Sequence, residues 1–307
     1  LASHFISREP LGVVIYGAGA LGQRCGAYLY QSSNFYVHGY LDGDEKKKGQ
    51  KIQDIPVLGS ITSIDAEELK KRGVELVIIC VRSDLDPRHS ARLLNLPLSG
   101  IEVLTKGAFL EHYFRELSVE YSNPHYFASS PSLPASQPVM LMKRMGDFAG
   151  AVTGLLLTAW LWPLLALAIK LDSRGPVFYK QTRVGFRGRH FRIVKFRTMR
   201  QDAEKEGAQW AVENDTRVTR LGACLRRTRL DELPQLLNVL KGDMSLVGPR
   251  PERPEFVCEL TREIPFYERR ELVPPGLTGW AQIRHTYGAS VEDAHRKLQF
   301  DLYYIRH

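Results

Sequence analysis

The sequence predicts an α/β domain with a parallel sheet, followed by a mostly helical domain that carries a long apolar segment. The first domain is indicated by an apolar run at residues 11–16, which leads into a glycine-rich turn and a helix. Further runs typical of parallel strands follow at residues 36–41, 74–81 and 100–104. The second domain is indicated by residues 148–169, an uncharged run of about 22 residues that as a straight helix could cross a bilayer.

The length of 307 residues is sufficient for two domains, each with its own core. We predict the α/β module at residues 1–121, a linker rich in Ser and Pro at residues 122–139, and the second domain at residues 140–307. The chain begins with Leu1 rather than Met and stops after His307. We therefore expect both ends to be cut from a longer protein.

The net charge of +8 at pH 7 indicates an anionic partner, which could be a nucleic acid, a phosphorylated substrate or an anionic lipid. Nucleic acid is the weakest of these and we predict no such partner, because the basic residues stand beside carboxylates and an apolar segment rather than among exposed aromatic residues. The four cysteines are scattered without a CxxC pair. They are typical of reduced cytosolic thiols.

The glycine-rich turn contains Gly17, Gly19 and Gly22 directly after the first strand, and Asp42 ends the next strand. This pattern is typical of a Rossmann-like dinucleotide fold, in which the glycines admit a pyrophosphate and the acid binds a ribose. The four residues are candidate cofactor-binding residues. The pattern alone is a weak signal, so a regulatory or dimerising module is the open alternative, and with it a homodimer.

The apolar segment is interrupted by Pro163 and bracketed by basic residues at both ends. A buried core helix is the alternative, but its length and the absence of charge argue against it. An interior Pro kinks a helix, and cations at both ends favour the cytosolic side for each end. We therefore predict a re-entrant helix at about residues 143–170, which enters one leaflet and returns. The flanking cations are Lys143, Arg144, Lys170 and Arg174.

Residues 230–242 predict a helix whose end is marked by Gly242 at the C′ position, and a strand-like run follows at residues 245–251. The N-terminus of the helix carries two adjacent carboxylates, with Asp231 as N-cap and Glu232 in the first turn. Capping and compensation of the helix dipole are the simple interpretation of such a pair. The surrounding cations indicate instead a site that binds phosphate through a metal ion. We expect the helix terminus to keep Asp231 ionised, which suits a nucleophile. The cations are Lys195, Arg197, Arg226 and Arg250.

Four ordered motifs carry a resemblance that covers the chain from about Met140 to its end. They are Lys195-Phe196-Arg197-Thr198-Met199, Leu230-Asp231-Glu232-Leu233-Pro234-Gln235-Leu236, Gly242-Asp243-Met244-Ser245-Leu246-Val247-Gly248-Pro249-Arg250-Pro251 and Pro275-Gly276-Leu277-Thr278-Gly279-Trp280. Together they resemble the bacterial polyprenyl-phosphate phosphoglycosyl transferases of the monotopic type. These enzymes initiate exopolysaccharide, capsule and O-antigen synthesis, and their membrane helix is re-entrant.

The resemblance implies transfer of a sugar-1-phosphate from a UDP-sugar to undecaprenyl phosphate, with release of UMP. It implies that Asp231 is the nucleophile, that a phosphosugar-aspartyl intermediate forms, and that Glu232 with Asp231 binds Mg²⁺. Contacts to substrate phosphate are implied for Arg226, Arg250, Lys195 and Arg197. The expected location is the cytosolic face of the bacterial inner membrane, in contact with its lipids.

Two other classes remain as alternatives. The glycine turn alone is compatible with an NAD-dependent oxidoreductase, but no hydride-transfer constellation of Tyr-Lys or His stands out in the sequence. A membrane-anchored nucleotide sensor would keep the first domain and the apolar segment without needing the Asp231-Glu232 pair. Release of UMP from UDP-sugars distinguishes all three.

Overall fold

The computed structural model describes residues 9–81, 85–119, 137–201, 215–285 and 290–307. The chain forms two compact units, of which the first ends at Phe114 and the second begins at Arg115. Most of the predicted linker, residues 122–136, lies outside the described residues. Its last three residues, 137–139, already belong to a helix.

The first unit alternates strands and helices. Its elements are β1 (Leu11–Tyr16), α1 (Ala20–Tyr30), β2 (Phe35–Leu41), β3 (Lys51–Ile52), β4 (Ile55–Gly59), α2 (Ala66–Lys71), β5 (Leu76–Ile79), α3 (Pro87–Asn95), β6 (Glu102–Thr105) and α4 (Lys106–Phe109). The sheet order is β3-β4-β2-β1-β5-β6, in which only the β3-β4 pairing is antiparallel. The predicted α/β fold with a parallel sheet is confirmed.

The central strand β1 is buried on both faces, as expected for a parallel sheet between helices. Val13 and Ile15 pack into one apolar cluster together with α1, whereas Val14 and Tyr16 pack into a second cluster on the other face. This alternation follows from the period of two in a strand. This packing on both faces fixes the position of β1, and the glycine turn therefore lies at the carboxyl edge of the sheet.

The second unit is mostly helical. Its elements are α5 (Gln137–Thr158), α6 (Leu161–Asp172), β7 (Phe178–Val184), β8 (His190–Phe196), α7 (Arg220–Thr228), α8 (Gln235–Lys241), β9 (Ser245–Val247), α9 (Pro254–Glu263), β10 (Gly276–Thr278), α10 (Trp280–Arg284) and α11 (Val291–Arg306). Strands β7 and β8 form an antiparallel hairpin, and β9 pairs with β10 in parallel. The mostly helical character predicted for this domain is confirmed.

The apolar segment forms two helices, α5 and α6, that meet at an angle of 65°. Within the described part of the chain, no single helix has both the length and the apolar character to cross a bilayer. The break falls at Ala159 and Trp160, before Pro163 rather than at it. Pro163 cannot donate to the carbonyl of Ala159 and its ring crowds that oxygen. The Ala159 oxygen instead accepts from the N–H of Trp162 at 3.3 Å.

Large apolar side chains of α5 and α6 remain exposed in the second unit. Leu156 is 75% exposed and Trp160 is 69% exposed, whereas Ala151 and Ile169 on the opposite faces are buried. A core helix would bury both faces. Contiguous apolar exposure of this kind marks a surface that meets a membrane or another protein. Further exposed members are Met142, Met145, Phe148, Leu157, Leu164, Leu167 and Leu171.

Polar side chains near the start of α5 bind it to the segment that follows the carboxylate pair. The Arg144 guanidinium donates to the main-chain oxygens of Val239 and Leu240, which end α8. Asp147 Oδ1 accepts the N–H of Leu246 at 3.0 Å. The Arg144 contacts satisfy carbonyls that a helix C-terminus leaves without partners, and the Asp147 contact binds the main chain of β9. The apolar helix and α8 are therefore held in one arrangement.

Residues 115–119 pack with the second unit, although we predicted them as part of the first domain. The N–H of Leu117 donates to Gln299 at 2.9 Å, and Trp280 Nε1 donates to the oxygen of Arg115 at 2.9 Å. Leu117 and Val119 are buried in the core that α9 and α11 share. Nothing local in the sequence distinguishes this segment, because its partners lie more than 150 residues away.

Candidate active site

The carboxylate pair lies in a single 3-10 turn, Leu230–Glu232, between α7 and α8. The predicted N-cap role of Asp231 is wrong, because Pro234 precedes the first residue of α8 and no side-chain cap bond forms there. Arg229 adopts a left-handed conformation with φ 59°, which ends α7 and starts the turn. The predicted C-terminal glycine is confirmed, since Gly242 ends α8 at φ 94°.

Glu232 is buried and its Oε1 atom is surrounded by cations. Arg250 Nη2 lies 2.8 Å from it, Lys195 Nζ 3.0 Å and Arg229 Nη1 3.7 Å. Burial favours the neutral acid, but the charges of Arg250 and Lys195 outweigh it and lower the pKa of Glu232 to about 2. Glu232 is therefore a permanent carboxylate at neutral pH.

Asp231 is equally buried but differently surrounded. Within the described chain, its Oδ1 atom is inaccessible to solvent and has no hydrogen-bond partner. Burial, with the Glu232 charge adding to it, raises the pKa of Asp231 even though Lys195 and Arg226 oppose the shift. Burial thus opposes the ionisation that we expected a helix terminus to favour, and Asp231 lies in the 3-10 turn before α8 rather than at the N-terminus of that helix.

The two carboxylates line a cavity of about 800 Å³ in the second unit. A cavity of several hundred Å³ is the usual size for a small-molecule site. Its wall is strongly basic near Asp231 and apolar toward α9. The basic members of the lining are Arg183, Lys195, Arg197, Arg200, Arg217, Arg226, Arg227, Arg229, Arg250, Arg253, Arg270 and Lys297. The arrangement suits an anionic substrate with an apolar portion.

Three of the four predicted phosphate-binding cations belong to the surroundings of the carboxylate pair. Lys195 and Arg250 both contact Glu232, and Arg226 donates from Nε to the Thr198 hydroxyl at 2.9 Å. Burial and the neighbouring Arg250 charge lower the pKa of Lys195 to about 8, although Glu232 opposes the shift. The predicted grouping of Lys195, Arg226 and Arg250 around the carboxylate pair is therefore seen in the structure.

Arg197 also lines the cavity, but its guanidinium is engaged elsewhere. Its Nη2 atom donates to the oxygen of Ser173 at 2.6 Å and to that of Ile169 at 3.3 Å. These are carbonyls at the C-terminus of α6, where a cation is favoured. Arg197 therefore ties the second apolar helix to strand β8.

Two further residues belong to the site, although no role was predicted for either from the sequence. Gln282 Oε1 accepts from Arg250 Nη1 at 3.0 Å, so the Arg250 fork is held by Gln282 and Glu232 together. Arg229 adds a third cation near Glu232. Gln282 stands two residues after the last quoted motif, at the end of Gly-Trp-Ala-Gln, so an extended motif would have included it.

The two carboxylates fit the requirements of Mg²⁺, which takes oxygen ligands and is commonly held by one or two carboxylates with substrate phosphates. The observation that supports the fit is the unpartnered Oδ1 of Asp231 among the described residues. Glu232 supplies the second carboxylate. No cluster of three or more His, Cys, Asp or Glu suited to a metal occurs in the described ranges. Substrate oxygens would therefore have to complete the coordination.

In the first unit, the predicted cofactor residues come together at the carboxyl end of β1 and β2. A β-carbon at Gly22 would overlap the oxygen of Gly17, so this close turn requires glycine. Gly19 precedes α1 and faces open space. Asp42 accepts from the N–H of Ala18 at 2.8 Å and from Lys47 Nζ at 3.0 Å. Asp42 thus holds the glycine turn, and a ribose hydroxyl would have to share its oxygens.

Comparison with known proteins agrees with the division into two units. The family model for the bacterial sugar transferase matches residues 139–307, and the model for the CoA binding domain matches residues 8–98. The first match covers the carboxylate pair and the basic cavity. The second covers the glycine turn and strands β1 to β5 of the sheet.

Three curated relatives illustrate the similarity. An Aeromonas hydrophila protein named UDP-N-acetylgalactosamine-undecaprenyl-phosphate N-acetylgalactosaminephosphotransferase is 50% identical over 175 residues, which are 57% of this chain and 41% of its own. A Komagataeibacter xylinus undecaprenyl-phosphate glucose phosphotransferase is 41% identical over 241 residues, 76% of this chain and 45% of its own. A Rhizobium leguminosarum bv. phaseoli exopolysaccharide production protein is 44% identical over 172 residues, 54% of this chain and 86% of its own.

The chain spans less than half the length of the first two relatives. The sugar-transferase match nevertheless extends over more than half of this chain and includes every residue of the candidate active site. The chain belongs to the bacterial sugar transferase family.

Proposed function

We propose that the protein transfers a sugar-1-phosphate from a UDP-sugar to undecaprenyl phosphate at the cytosolic face of the bacterial inner membrane. The products are undecaprenyl-diphosphate-sugar and UMP. The names of the relatives, which specify undecaprenyl-phosphate sugar phosphotransferases, support this reaction class. The step begins exopolysaccharide, capsule or O-antigen synthesis.

The observation that carries the proposal is the contrast between the two adjacent carboxylates. Glu232 is neutralised by Arg250 and Lys195, whereas Asp231 keeps a buried oxygen without a partner among the described residues. A carboxylate that is desolvated and not hydrogen-bonded is the better nucleophile of the two. Asp231 is therefore assigned the attack, and Glu232 the organisation of the surrounding charges.

In the first step an oxygen of Asp231 attacks the phosphorus that bears the sugar. The bond from that phosphorus to the bridging oxygen breaks, and the oxygen leaves with its electron pair as part of UMP. In the second step a phosphate oxygen of undecaprenyl phosphate attacks the same phosphorus and releases the Asp231 carboxylate. Covalent catalysis in this form divides one difficult displacement into two.

The cations near the pair suit the diphosphate. Arg250 presents a planar fork, which matches two phosphate oxygens, and Lys195 adds a point charge. Arg226 lines the same cavity and is held by Thr198. When bound by Glu232 and Asp231, Mg²⁺ would supply further positive charge to offset that of the diphosphate. These residues thus hold the substrate with its phosphorus toward Asp231.

The bent pair α5 and α6 supports a re-entrant membrane helix as part of the proposal. The exposed apolar face of these helices suits a lipid interior, and basic residues bracket the uncharged run at residues 148–169. A helix that enters and leaves the same leaflet keeps the site at the bilayer surface, where the lipid phosphate lies. Because Arg144 and Asp147 of α5 contact α8 and β9, the position of α5 in the membrane would fix the distance of the active site from the bilayer surface.

The direct test is release of UMP from a panel of UDP-sugars by the purified chain with undecaprenyl phosphate and Mg²⁺. UDP-glucose and UDP-N-acetylgalactosamine belong in the panel because the relatives' names specify them. We expect UMP release that requires the lipid for sustained turnover and is lost in Asp231→Asn. Turnover of a nicotinamide cofactor without UMP would indicate the oxidoreductase alternative, and nucleotide binding without any turnover would indicate a sensor.

A further inference from the structure

Arg270 joins three separate parts of the second unit through one guanidinium. It lies in the 3-10 turn Tyr267–Leu272, and its Nε donates to Asp301 Oδ2 at 2.7 Å. Its Nη1 donates to the Tyr267 hydroxyl at 2.7 Å, and its Nη2 donates to the main-chain oxygen of Arg250 at 2.9 Å. The side chains of Arg270 and Asp301 are only 10% and 2% exposed. This is a buried ion pair attached to the backbone of an active-site residue.

The Arg250 segment has an unusual need for such attachment. Arg250 stands between Pro249 and Pro251, neither of which has an N–H, so the turn is anchored mainly through its carbonyls. Gly276 donates to the Pro249 oxygen at 2.8 Å, and Arg183 Nη1 donates to the Pro251 oxygen at 3.1 Å. The middle carbonyl, that of Arg250 itself, is bound by Arg270.

The side chain of Arg250 depends on where its backbone is held. From this turn it reaches Glu232 Oε1 at 2.8 Å and Gln282 Oε1 at 3.0 Å. A planar fork must be directed at its target to bind two phosphate oxygens, so a shift of the backbone would misdirect it. A continuous series of hydrogen bonds therefore runs from Asp301 on α11 through Arg270 and Arg250 to Glu232.

We propose that Asp301 and Arg270 are positioning residues that hold the Arg250 turn so that its guanidinium faces the substrate diphosphate. The inference rests on the proposed function for the identity of the substrate. A buried ion pair is a weak source of stability when it is compared with apolar side chains of similar volume. Its attachment to the Arg250 carbonyl gives the pair a role in the site beyond folding.

A double-mutant cycle with Arg270→Lys and Arg250→Met tests whether Arg270 acts through Arg250. Lysine keeps a charge beside Asp301 but cannot bridge three acceptors as the fork does. With the UDP-sugar that the panel selects, Arg270→Lys should lower kcat/KM about tenfold in the otherwise unchanged chain. In the Arg250→Met chain the same change should alter kcat/KM by less than about twofold. The affinity for UDP, measured by calorimetry, should follow the same pattern.

Two further variants separate positioning from folding. Asp301→Asn should reproduce the Arg270→Lys effect, and it replaces that variant if Arg270→Lys does not fold. Glu116→Gln alters another ion pair of α11, in which Arg296 Nη2 lies 3.0 Å from Glu116 Oε2. This control should lower the melting temperature without changing the affinity for UDP.

If Arg270→Lys lowers kcat/KM by the same factor in the unchanged chain and in the Arg250→Met chain, the proposal is contradicted, and the Arg270–Asp301 pair serves folding alone. The absence of any loss in either background would contradict it as well. If the unchanged chain releases no UMP from any UDP-sugar, the proposed function fails. The cycle of UDP affinities would still decide whether Arg270 acts through Arg250.

Discussion

Arg250 donates from Nη2 to Oε1 of Glu232 over 2.8 Å, and Lys195 reaches the same oxygen at 3.0 Å. The neighbouring carboxylate of Asp231 has no comparable partner on its buried Oδ1 within the described chain. The pKa of Glu232 is lowered and that of Asp231 is raised, although the two residues are adjacent. The positions of Arg250 and Lys195 therefore make the two adjacent carboxylates different in charge environment.

Glu232→Gln should destabilise the protein at neutral pH and much less in acid. The pKa of Glu232 is about 2 in the folded chain, below the value of 4.5 for an unperturbed Glu. Its contribution is therefore fully present above about pH 4.5 and is lost as the pH falls toward 2. A shift of this size corresponds to about 3 kcal/mol. Melting temperatures of the two proteins across this pH range measure the difference.

The control for that experiment is Glu263→Gln, which changes an exposed carboxylate at the end of α9. Its melting temperature should follow that of the unchanged protein at every pH. The melting temperatures of Glu232→Gln and of the unchanged chain could also differ by the same amount from pH 7 to pH 3. That result would show that Glu232 does not stabilise the protein through its ion pair.

Arg197→Met and Arg226→Met should have different effects, the first on stability and the second on the KM for the UDP-sugar. Arg197 donates to the Ser173 and Ile169 oxygens at the end of α6, and the Ile169 oxygen has a second donor, the N–H of Ser173. Arg197→Met removes the donor to the Ser173 oxygen and should cost about 2 kcal/mol of stability. The KM for the UDP-sugar should change little. Arg226→Met should raise that KM about tenfold with little effect on stability, because a charged contact to phosphate is lost. The free energy of unfolding and the KM for the UDP-sugar are measured for both variants. An Arg197→Met protein with normal stability and a raised KM would support the predicted contact of Arg197 with phosphate.

The sequence predicts these residues as a group but not their separate roles. Lys195 and Arg250 stand in the quoted motifs and Arg226 stands just upstream of the carboxylate pair, and the structure confirms that all three lie near it. The capping prediction for Asp231 is wrong because Arg229 adopts a left-handed conformation, which the sequence does not indicate. This conformation starts a 3-10 turn at the position where the sequence predicts the start of a helix. The engagement of Arg197 depends on a helix end 24 residues earlier in the chain.

Removal of residues 1–114 should preserve UMP release, whereas removal of residues 1–119 should not. Leu117 and Val119 are buried in the core of the second unit, and Leu117 is hydrogen-bonded to Gln299. Loss of two buried aliphatic side chains costs several kcal/mol, roughly 2–5 for each. The comparison of yield, melting temperature and UMP release for the two truncations measures the effect. Equal activity of both would show that this segment is dispensable, and loss of turnover in a folded 1–114 truncation would connect the glycine turn to catalysis.

The sequence predicts four of the six strands of the first unit but not β3 and β4. The four, β1, β2, β5 and β6, are predicted within a few residues, since apolar runs of a parallel sheet are local features. The assignment of residues 115–119 failed for the opposite reason. Their hydrogen-bonding partners, Trp280 and Gln299, are remote in sequence. Only the folded chain brings them together.

Residues near the N-terminal end of α5, ahead of the uncharged run, and residues after α6 should be accessible from the same side of the membrane. The test places single cysteines at Met142 and Arg174, both exposed, in a chain whose native cysteines are replaced by Ser. Labelling of intact cells with an impermeant thiol reagent should leave both positions unlabelled until the cytosol is opened. Labelling from opposite sides would contradict a re-entrant helix.

Pro163→Ala should reduce the bend, because an N–H at this position can donate to the Ala159 oxygen. We expect part of the population to expose position 174 on the opposite side. Leu164→Ala, which changes an adjacent exposed side chain but no backbone donor, is the matched control and should leave the labelling unchanged.

Asp231 is the residue on which the proposed reaction depends, and a covalent adduct tests it most directly. The chain is incubated with the UDP-sugar and Mg²⁺ without lipid, quenched, digested and analysed by mass spectrometry. We predict a sugar-phosphate adduct on Asp231, formed with one equivalent of UMP, and its absence from Asp231→Asn at an almost unchanged melting temperature. An adduct on Glu232, or sustained turnover by Asp231→Asn, would contradict the assignment of the nucleophile.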